Sequence, residues 1–379
     1  MMMHNQQITT TRSRAFGGPN KYIQGPGEFN NIEKFTSEYG KKAFFLIDKF
    51  LFNNLKSRLV DIFEETDSIF TAETFSGECC QSEVDRLCSS AAQCNADIIV
   101  GVGGGKTCDT AKMVANNLGF PRILVPTSAS TDAPTSGLAI LYSETGEHIV
   151  ALKMKRNSEL VLIDSEIIVA APVRLFIAGI GDALATYFEA RANDITETVN
   201  YIGKGYRRCK AGMAIAKMAY DLLLEDGVNA VSAVKRGIVT EEVENIIEAN
   251  TLLSGLGFEN TGCAAAHGIH SGITEIPESH KYLHGEKVAF GILCQMVIEN
   301  TPSDEMGKIL HFMKRVGLPL TLRGIGIEPK EENIRAIAHH TVMKNPLIHH
   351  EPTFITEDVV FNAIIAADEI GNTFEEENR

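Results

Sequence analysis

The 379 residues contain no tryptophan, no CxxC pair and no uninterrupted apolar run of about 18 residues, and basic side chains are in deficit. Each shortage removes a class of protein. With irregular spacing and no paired motif, Cys79, Cys80, Cys88, Cys94, Cys108, Cys209, Cys263 and Cys294 do not form a disulfide framework, so they read as the reduced thiols of a cytoplasmic enzyme. The missing apolar run excludes a spanning helix. Lys and Arg total 35 against 49 Asp and Glu, a net charge of −14, and such a field repels phosphate backbones and anionic lipid alike. Nucleic acid and membrane surfaces are therefore not expected partners. The first 27 residues lack acids and carry Arg12, Arg14 and Lys21, yet show no amphipathic stripe; residues 1–15 read as a flexible leader rather than a targeting helix.

What remains is ample core material, 44% hydrophobic and 22% charged, in a length that suits two domains at roughly 150 residues each. Between about residues 40 and 165, short apolar runs alternate with helix-like segments. Ala43–Ile47, Ser68–Phe75, Asp97–Val100, Ile123–Pro126, Leu138–Tyr142 and Leu160–Ile163 read as strands, several too apolar for a sheet with one wet face. Glu83–Cys94 and Thr107–Leu118 read as crossover helices, giving a parallel, Rossmann-like α/β domain over 16–171. Past Pro172 long helical patterns take over at Pro172–Ala192, Tyr206–Glu225, Glu241–Leu256, Lys287–Asn300 and Pro352–Phe374, so 172–379 reads as an all-α domain, with a ligand cleft expected between the two.

The sharpest local signal is Gly101-Val102-Gly103-Gly104-Gly105-Lys106-Thr107, between a strand and a helix. Consecutive glycines let backbone amides approach a ligand, and the helix N-terminus offers free N–H groups to a pyrophosphate. Neither standard template fits: a P-loop needs glycine where Val100 stands, and the dinucleotide fingerprint needs Gly or Ala where Lys106 stands. A second loop, Pro126-Thr127-Ser128-Ala129-Ser130-Thr131-Asp132-Ala133-Pro134, clusters hydroxyls at the next strand's carboxyl end and is a candidate cofactor loop or an ordinary capped turn.

Histidines are also unevenly spread. At 11 in 379 residues, an 18-residue window should hold about half a histidine, yet 267–284 holds His267, His270, His280 and His284. His267 and His270 share a helical face, and Pro277 breaks the segment so that His284 returns from a second element. Two imidazoles and a carboxylate leave the open position that catalytic zinc needs. The carboxylate candidate is Asp182, an acid within Gly179-Ile180-Gly181-Asp182-Ala183-Leu184-Ala185-Thr186, where an unpaired buried charge is costly. Spacing alone leaves two alternatives open: His280-x-x-x-His284 is itself a ligand spacing, and any of these rings can serve as a hydrogen-bonded core residue.

Together with Lys21-Tyr22-Ile23-Gln24-Gly25, Phe75-x-Gly77-Glu78-Cys79, Ala178-Gly179-Ile180-Gly181-Asp182, Glu248-Ala249-Asn250-Thr251 and His284-Gly285-Glu286-Lys287-Val288-Ala289-Phe290-Gly291, these motifs resemble the iron-containing (group III) alcohol dehydrogenase superfamily, in its zinc-using glycerol dehydrogenase branch. The likeness spans nearly the whole chain beyond the leader. It implies a dehydroquinate synthase-like architecture, an NAD-binding domain and a helical metal domain, one Zn2+ per subunit, and a homo-oligomer, commonly an octamer. Asp182, His267 and His284 match the zinc ligands, which border the polyol, and Asp132 matches a polyol contact. Gly104, Gly105 and Lys106 match the pyrophosphate turn; Thr127, Ser130, Ser136, Leu138 and Tyr142 match further NAD contacts. Asp48 matches the acid that accepts from the adenosine ribose, and its charge favours NAD over NADP. Iron-dependent members carry histidine four residues after the metal aspartate; Thr186 stands there instead. The activity implied is reversible oxidation of glycerol to dihydroxyacetone, and of vicinal diols such as 1,2-propanediol. His270 is then a candidate proton shuttle or orienting residue, and Phe258 a candidate pocket wall. A lyase similar to dehydroquinate synthase is the rival, disfavoured because the segments around 132, 182 and 267–284 have only Lys281 and Lys287 for an anionic substrate. A nucleotide-binding protein without catalysis is the third reading.

Overall fold

A computed structural model describes residues 12–378. In chain order its main strands are β1 (Lys21–Gly25), β2 (Lys42–Asp48), β3 (Ile69–Phe75), β4 (Ile98–Gly103), β5 (Arg122–Pro126), β6 (Leu138–Tyr142), β7 (His148–Lys153) and β8 (Leu160–Asp164). Its main helices are α1 (Phe52–Phe63), α2 (Gln81–Gln93), α3 (Gly105–Leu118), α4 (Val173–Thr196), α5 (Lys210–Val234), α6 (Glu241–Glu248), α7 (Ser254–Thr261), α8 (Ala265–Ile273), α9 (His284–Ile298), α10 (Ser303–Val316), α11 (Glu331–Lys344) and α12 (Glu357–Glu377).

One compact unit comprises 18–179 and 229–255. Its sheet has the order β1-β8-β5-β4-β2-β3, with every neighbouring pair parallel. Strands β4, β5 and β8 are buried along their whole length, which explains their high Val, Ile and Leu content. Phe45, Ile47, Val100, Val102, Ile123, Val125, Leu160 and Leu162 pack with Leu55, Leu59 and Phe63 of α1 into the core. From β2 the chain runs outward to β3, then crosses back to place β4 on the other side of β2. The carboxyl ends of β2 and β4 thus flank a topological switch point, where open α/β sheets place ligands.

Two sequence expectations change here. Leu138–Tyr142 is a strand, but it pairs antiparallel with β7 in a separate hairpin rather than joining the parallel sheet. The parallel sheet gains β1 instead, whose polar Lys-Tyr-Ile-Gln-Gly sequence suits a partly exposed edge and carries no apolar run to mark it.

Among the described residues, the second unit comprises 12–17, 180–228 and 256–378, and is almost wholly helical. Its only extended pairing among the described residues joins Arg14–Ala15 to Arg207–Arg208. The division falls inside α4, at Gly179/Ile180, rather than at 171/172, and 229–255 joins the α/β unit. Of the expected leader 1–15, residues 1–11 lie outside the described residues, while Arg14 and Ala15 are tied into the helical unit. The helix expected over Glu241–Leu256 is present and runs on to Thr261, but with a π segment at Ala249–Leu253 that joins α6 to α7. Among the described residues no helix is long and apolar enough to cross a membrane.

Candidate functional site

In the α/β unit, the glycine run closes β4 and opens α3, and its glycines have different causes. A Cβ at Gly101 would meet Ala111, and one at Gly103 would meet Thr107 at 2.5 Å, so both allow α3 to pack on β4. Gly104 has an ordinary φ of −76°, and a Cβ placed on it would have no atom within 4 Å, so neither strain nor packing within the chain calls for glycine there. The remaining physical reason is close approach of a ligand to bare backbone, and the N-terminus of α3 has no side-chain cap bond to occupy its N–H groups. Lys106, just inside the helix, pairs with Glu78 at 2.5 Å and lies 4.8 Å from the Tyr142 ring centroid. Burial raises the Tyr142 hydroxyl pKa, with the Asp109 and Glu78 carboxylates adding to it.

The hydroxyl loop lies against this turn: Thr127 N–H donates to the Gly103 carbonyl at 3.1 Å, and Gly105 faces Thr131. Two devices hold the loop. Lys112, fully buried in α3, donates to the carbonyls of Ala133 and Leu138, both at 2.6 Å, and pairs with Asp109 at 3.0 Å. Asp109 in turn accepts from Ile140 N–H at 2.9 Å. On the other side, the π turn exposes the Thr251 carbonyl to the Thr135 hydroxyl at 2.6 Å, Asn250 donates to Ala129 O at 3.0 Å, and Ser254 donates to Asp132 Oδ2 at 2.6 Å. Ser130 faces Ser128 at 3.1 Å, and Ser136 donates to Ala133 O at 3.1 Å, two residues before Leu138 opens β6. Asp48 ends β2, one position beyond the Ile47–Val102 pair of β2 and β4, with Oδ1 accepting from Phe50 N–H at 3.0 Å. Asp48 and the glycine turn therefore share the switch point although 55 residues separate Asp48 from Gly103 in sequence.

In the helical unit, three helices meet at backbone contact. A Cβ at Gly181 of α4 would run into the Gly285 carbonyl of α9, and one at Gly291 of α9 would run into the Ala266 carbonyl of α8. This closeness brings together Asp182, His267 and His284. Asp182 Oδ1 lies 3.3 Å from His267 Nε2 and 3.1 Å from His284 Nε2. Zinc bonds of about 2.0–2.2 Å at tetrahedral angles put neighbouring ligand atoms about 3.3–3.6 Å apart, so the set fits a metal after small adjustments. Asp182 is 1% exposed, and its Oδ2 is buried with no hydrogen-bond partner, an anionic oxygen still in need of a cation. Burial alone would raise its carboxyl pKa; the His284 and His267 rings outweigh it and hold the group well below the usual carboxylate range. For His267, burial favours the neutral ring, but the Glu189, Cys263 and Asp182 groups overcome it and pull its pKa well up. The pocket thus favours positive charge.

Each ring has a second partner at Nδ1: Glu189 Oε2 at 2.7 Å for His267, and His270 Nε2 at 3.1 Å for His284. Burial first, then the neighbouring His284, keeps the His270 pKa well below its ordinary value, so this ring is neutral and its Nε2 can accept a hydrogen bond from His284 Nδ1–H. His280 takes no part; its ring donates to the Thr274 carbonyl at 2.8 Å, so the 280/284 pairing that spacing left open is not formed. Glu189, Cys263 and His267 make another close acid, thiol and imidazole group, but 2.7 Å between Nδ1 and Oε2 is a hydrogen bond, too short for two ligands of one ion. Thr186 is buried with its methyl against Gly257, and it is not among the acid and imidazole groups that converge here. Phe258 is half-buried and stands edge-on to Tyr201, with centroids 6.0 Å apart. Sequence reasoning missed Glu189, Lys112 and Asp109. Their only signal was a charge inside an apolar helical pattern, the same signal that marked Asp182.

The family model described as iron-containing alcohol dehydrogenase matches residues 19–165. Glycerol dehydrogenase of Escherichia coli O6:H1 is 41% identical, covering 96% of this chain and 99% of its own length. Glycerol dehydrogenase of Thermotoga maritima is 43% identical, over 93% and 96%. A crystal structure of a probable glycerol dehydrogenase from Sinorhizobium meliloti 1021 aligns with a TM-score of 0.90 at 46% identity, covering 95% of this chain and 99% of that one. The chain belongs to the iron-containing alcohol dehydrogenase family, whose fold it has. Within that family its full-length matches place it in the glycerol dehydrogenase branch.

Proposed function

We propose that this chain catalyses reversible NAD-dependent oxidation of glycerol to dihydroxyacetone, and of vicinal diols such as 1,2-propanediol, with one zinc ion per subunit. The observation that carries the reading is the convergence of two Nε2 atoms on a buried carboxylate with an unpartnered oxygen. Asp182, His267 and His284 would hold the zinc; when bound, zinc supplies Lewis acidity toward the diol, and NAD supplies the hydride acceptor. The protein's part is to bind and orient. The bare amides of Gly104 and Gly105, with Lys106, would take the pyrophosphate. Thr127, Ser130, Ser136, Leu138 and Tyr142 would line the rest of the cofactor site. Asp48 would accept from the ribose hydroxyls and repel a 2′-phosphate. Asp132, its carboxylate oriented by Ser254, would accept from a polyol hydroxyl, and Phe258 would wall the pocket. His270 would orient His284 by accepting a hydrogen bond from its Nδ1–H, which suits its neutral ring better than shuttling protons.

The charge balance agrees with this substrate: a small neutral polyol needs no positive field, so a net charge of −14 costs nothing in capture. A lyase acting on a phosphorylated acid lacks support from the full-length relatives, and an inactive binding protein would have no use for the metal set. By family resemblance we also expect a cytoplasmic homo-oligomer, an octamer; light scattering on the purified protein tests the assembly. The activity is tested by following NADH absorbance with glycerol and 1,2-propanediol before chelation, after it, and after zinc is restored. Diol-dependent NADH that vanishes and returns supports the proposal; no NADH with zinc restored refutes it.

A further inference from the structure

We infer that Glu189 is a positioning residue for His267: its buried carboxylate selects the ring tautomer and aims Nε2 at Asp182. This rests on reading Asp182, His267 and His284 as the zinc site.

Glu189 lies seven residues after Asp182 in α4, two helical turns along the same face, and is 0% exposed. Its carboxylate makes three bonds, all to the segment that carries His267. Oε1 accepts from the backbone N–H of Ala264 at 2.8 Å and of His267 at 2.9 Å. Oε2 accepts from His267 Nδ1–H at 2.7 Å. An ionised carboxylate only accepts, so Nδ1 must carry a proton, and the nitrogen left to offer its lone pair to a metal beside Asp182 is Nε2.

Helix capping alone does not account for an acid here. The N-cap of α8 is Ala264, which has no polar side chain, and its first N–H groups are served from other elements: Glu189 for Ala264 and His267, Glu351 for Ala265 at 3.0 Å, and Gln295 for Ala266 at 3.1 Å. Gln295 shows that an amide is enough to satisfy a backbone donor. Of these three side chains, Glu189 is the one that also bonds the metal-facing ring. In Glu189→Gln, the amide oxygen can face the two backbone donors only by turning its NH2 toward Nδ1. That NH2 donates, so the ring would have to move its proton to Nε2, where it would point into the metal position.

The test measures zinc affinity by chelator competition, and the melting temperature of the zinc-free protein, for wild type, Glu189→Gln and Glu351→Ala. Both variants should lower the melting temperature, since each removes a partner from the start of α8. Only Glu189→Gln should weaken zinc binding, by about 10–100-fold, as loss of an outer partner of a ligating histidine does. The inference is overturned if Glu189→Gln binds zinc as wild type does, or if Glu351→Ala weakens zinc equally, because Glu189 would then be only a cap. Should Glu189→Gln fail to fold, solid-state NMR of 15N-histidine in the zinc-free wild type, taken to a pH where the ring is neutral, decides the matter: a neutral His267 with its proton on Nδ1 supports the inference, and the other tautomer overturns it. Equal zinc affinity in wild type and Asp182→Asn would instead defeat the metal reading itself, and this inference with it; an unchanged Glu189→Gln beside a weakened Asp182→Asn defeats this inference alone.

Discussion

Gly181 and Gly285 touch backbone to backbone: the hydrogen on the Gly181 Cα faces the Gly285 carbonyl oxygen, and a Cβ there would fall well inside contact distance. Because Asp182 and His284 are their chain neighbours, this contact sets the spacing of the ligand set. Gly181→Ala should push α4 and α9 apart, costing about 1–3 kcal/mol as overpacked cores do. Zinc content per subunit should fall alongside. Urea denaturation and metal analysis check both; a variant with full zinc and unchanged stability would mean the helices have slack that the geometry does not suggest.

Asp182→Asn should abolish diol oxidation while sparing the nucleotide site. The amide keeps the size of the side chain but removes the anion that both rings and the buried Oδ2 position require. Zinc affinity should drop by more than the about 10–100-fold that an outer partner costs. NADH binding, followed by its fluorescence, should stay within about twofold, because the residues assigned to it lie in the other compact unit. A fully active Asp182→Asn protein would refute the ligand assignment.

How far the sequence could be read depends on what each residue answers to. The buried strands β4, β5 and β8 were legible because burial on both faces forces continuous apolar runs. β1 and β7 were not, since they are partly or wholly exposed and carry mixed side chains. The histidine cluster showed itself by density, but spacing could not separate the 267/284 pair from 280/284. That choice depends on Gly181 and Gly291, whose role is steric and belongs to the tertiary contact. Asp48 has no local signal at all; the strand order brings it beside the glycine turn. The π turn at Ala249–Leu253 was hidden for a similar reason, because its irregular backbone answers to Thr135 and Ala129, more than a hundred residues away.

Lys112→Met should damage the nucleotide site from beneath. The variant is close in size but removes a fully buried cation with three acceptors, leaving Asp109 without its cation and two carbonyls unserved. Breaking a buried pair in this way costs about 3–5 kcal/mol. Part of that cost should appear as disorder in Ala133–Leu138, so NAD affinity should fall even at temperatures where the variant is folded. Calorimetric NAD titration and thermal unfolding test this. Normal NAD affinity with lowered stability would show that the hydroxyl loop keeps its shape without the lysine.

Stability should also decline on the alkaline side through Glu351. This acid is 4% exposed and accepts from Ala265 N–H at 3.0 Å; burial and then the adjacent Glu299 carboxylate push its pKa from 4.5 up to about 9. In the folded protein it therefore keeps a proton that the unfolded chain has already released. Where the folded state binds more protons, stability falls with rising pH, so the contribution is complete below about pH 4.5 and is lost as pH climbs through about 9. Glu351→Gln cannot titrate, yet retains an oxygen for the Ala265 donor. Melting temperatures of the zinc-free proteins at constant ionic strength should therefore fall more steeply between pH 6 and 9.5 (roughly the upper part of that window) for wild type than for Glu351→Gln. Parallel curves would mean that Glu351 is already ionised in the folded protein.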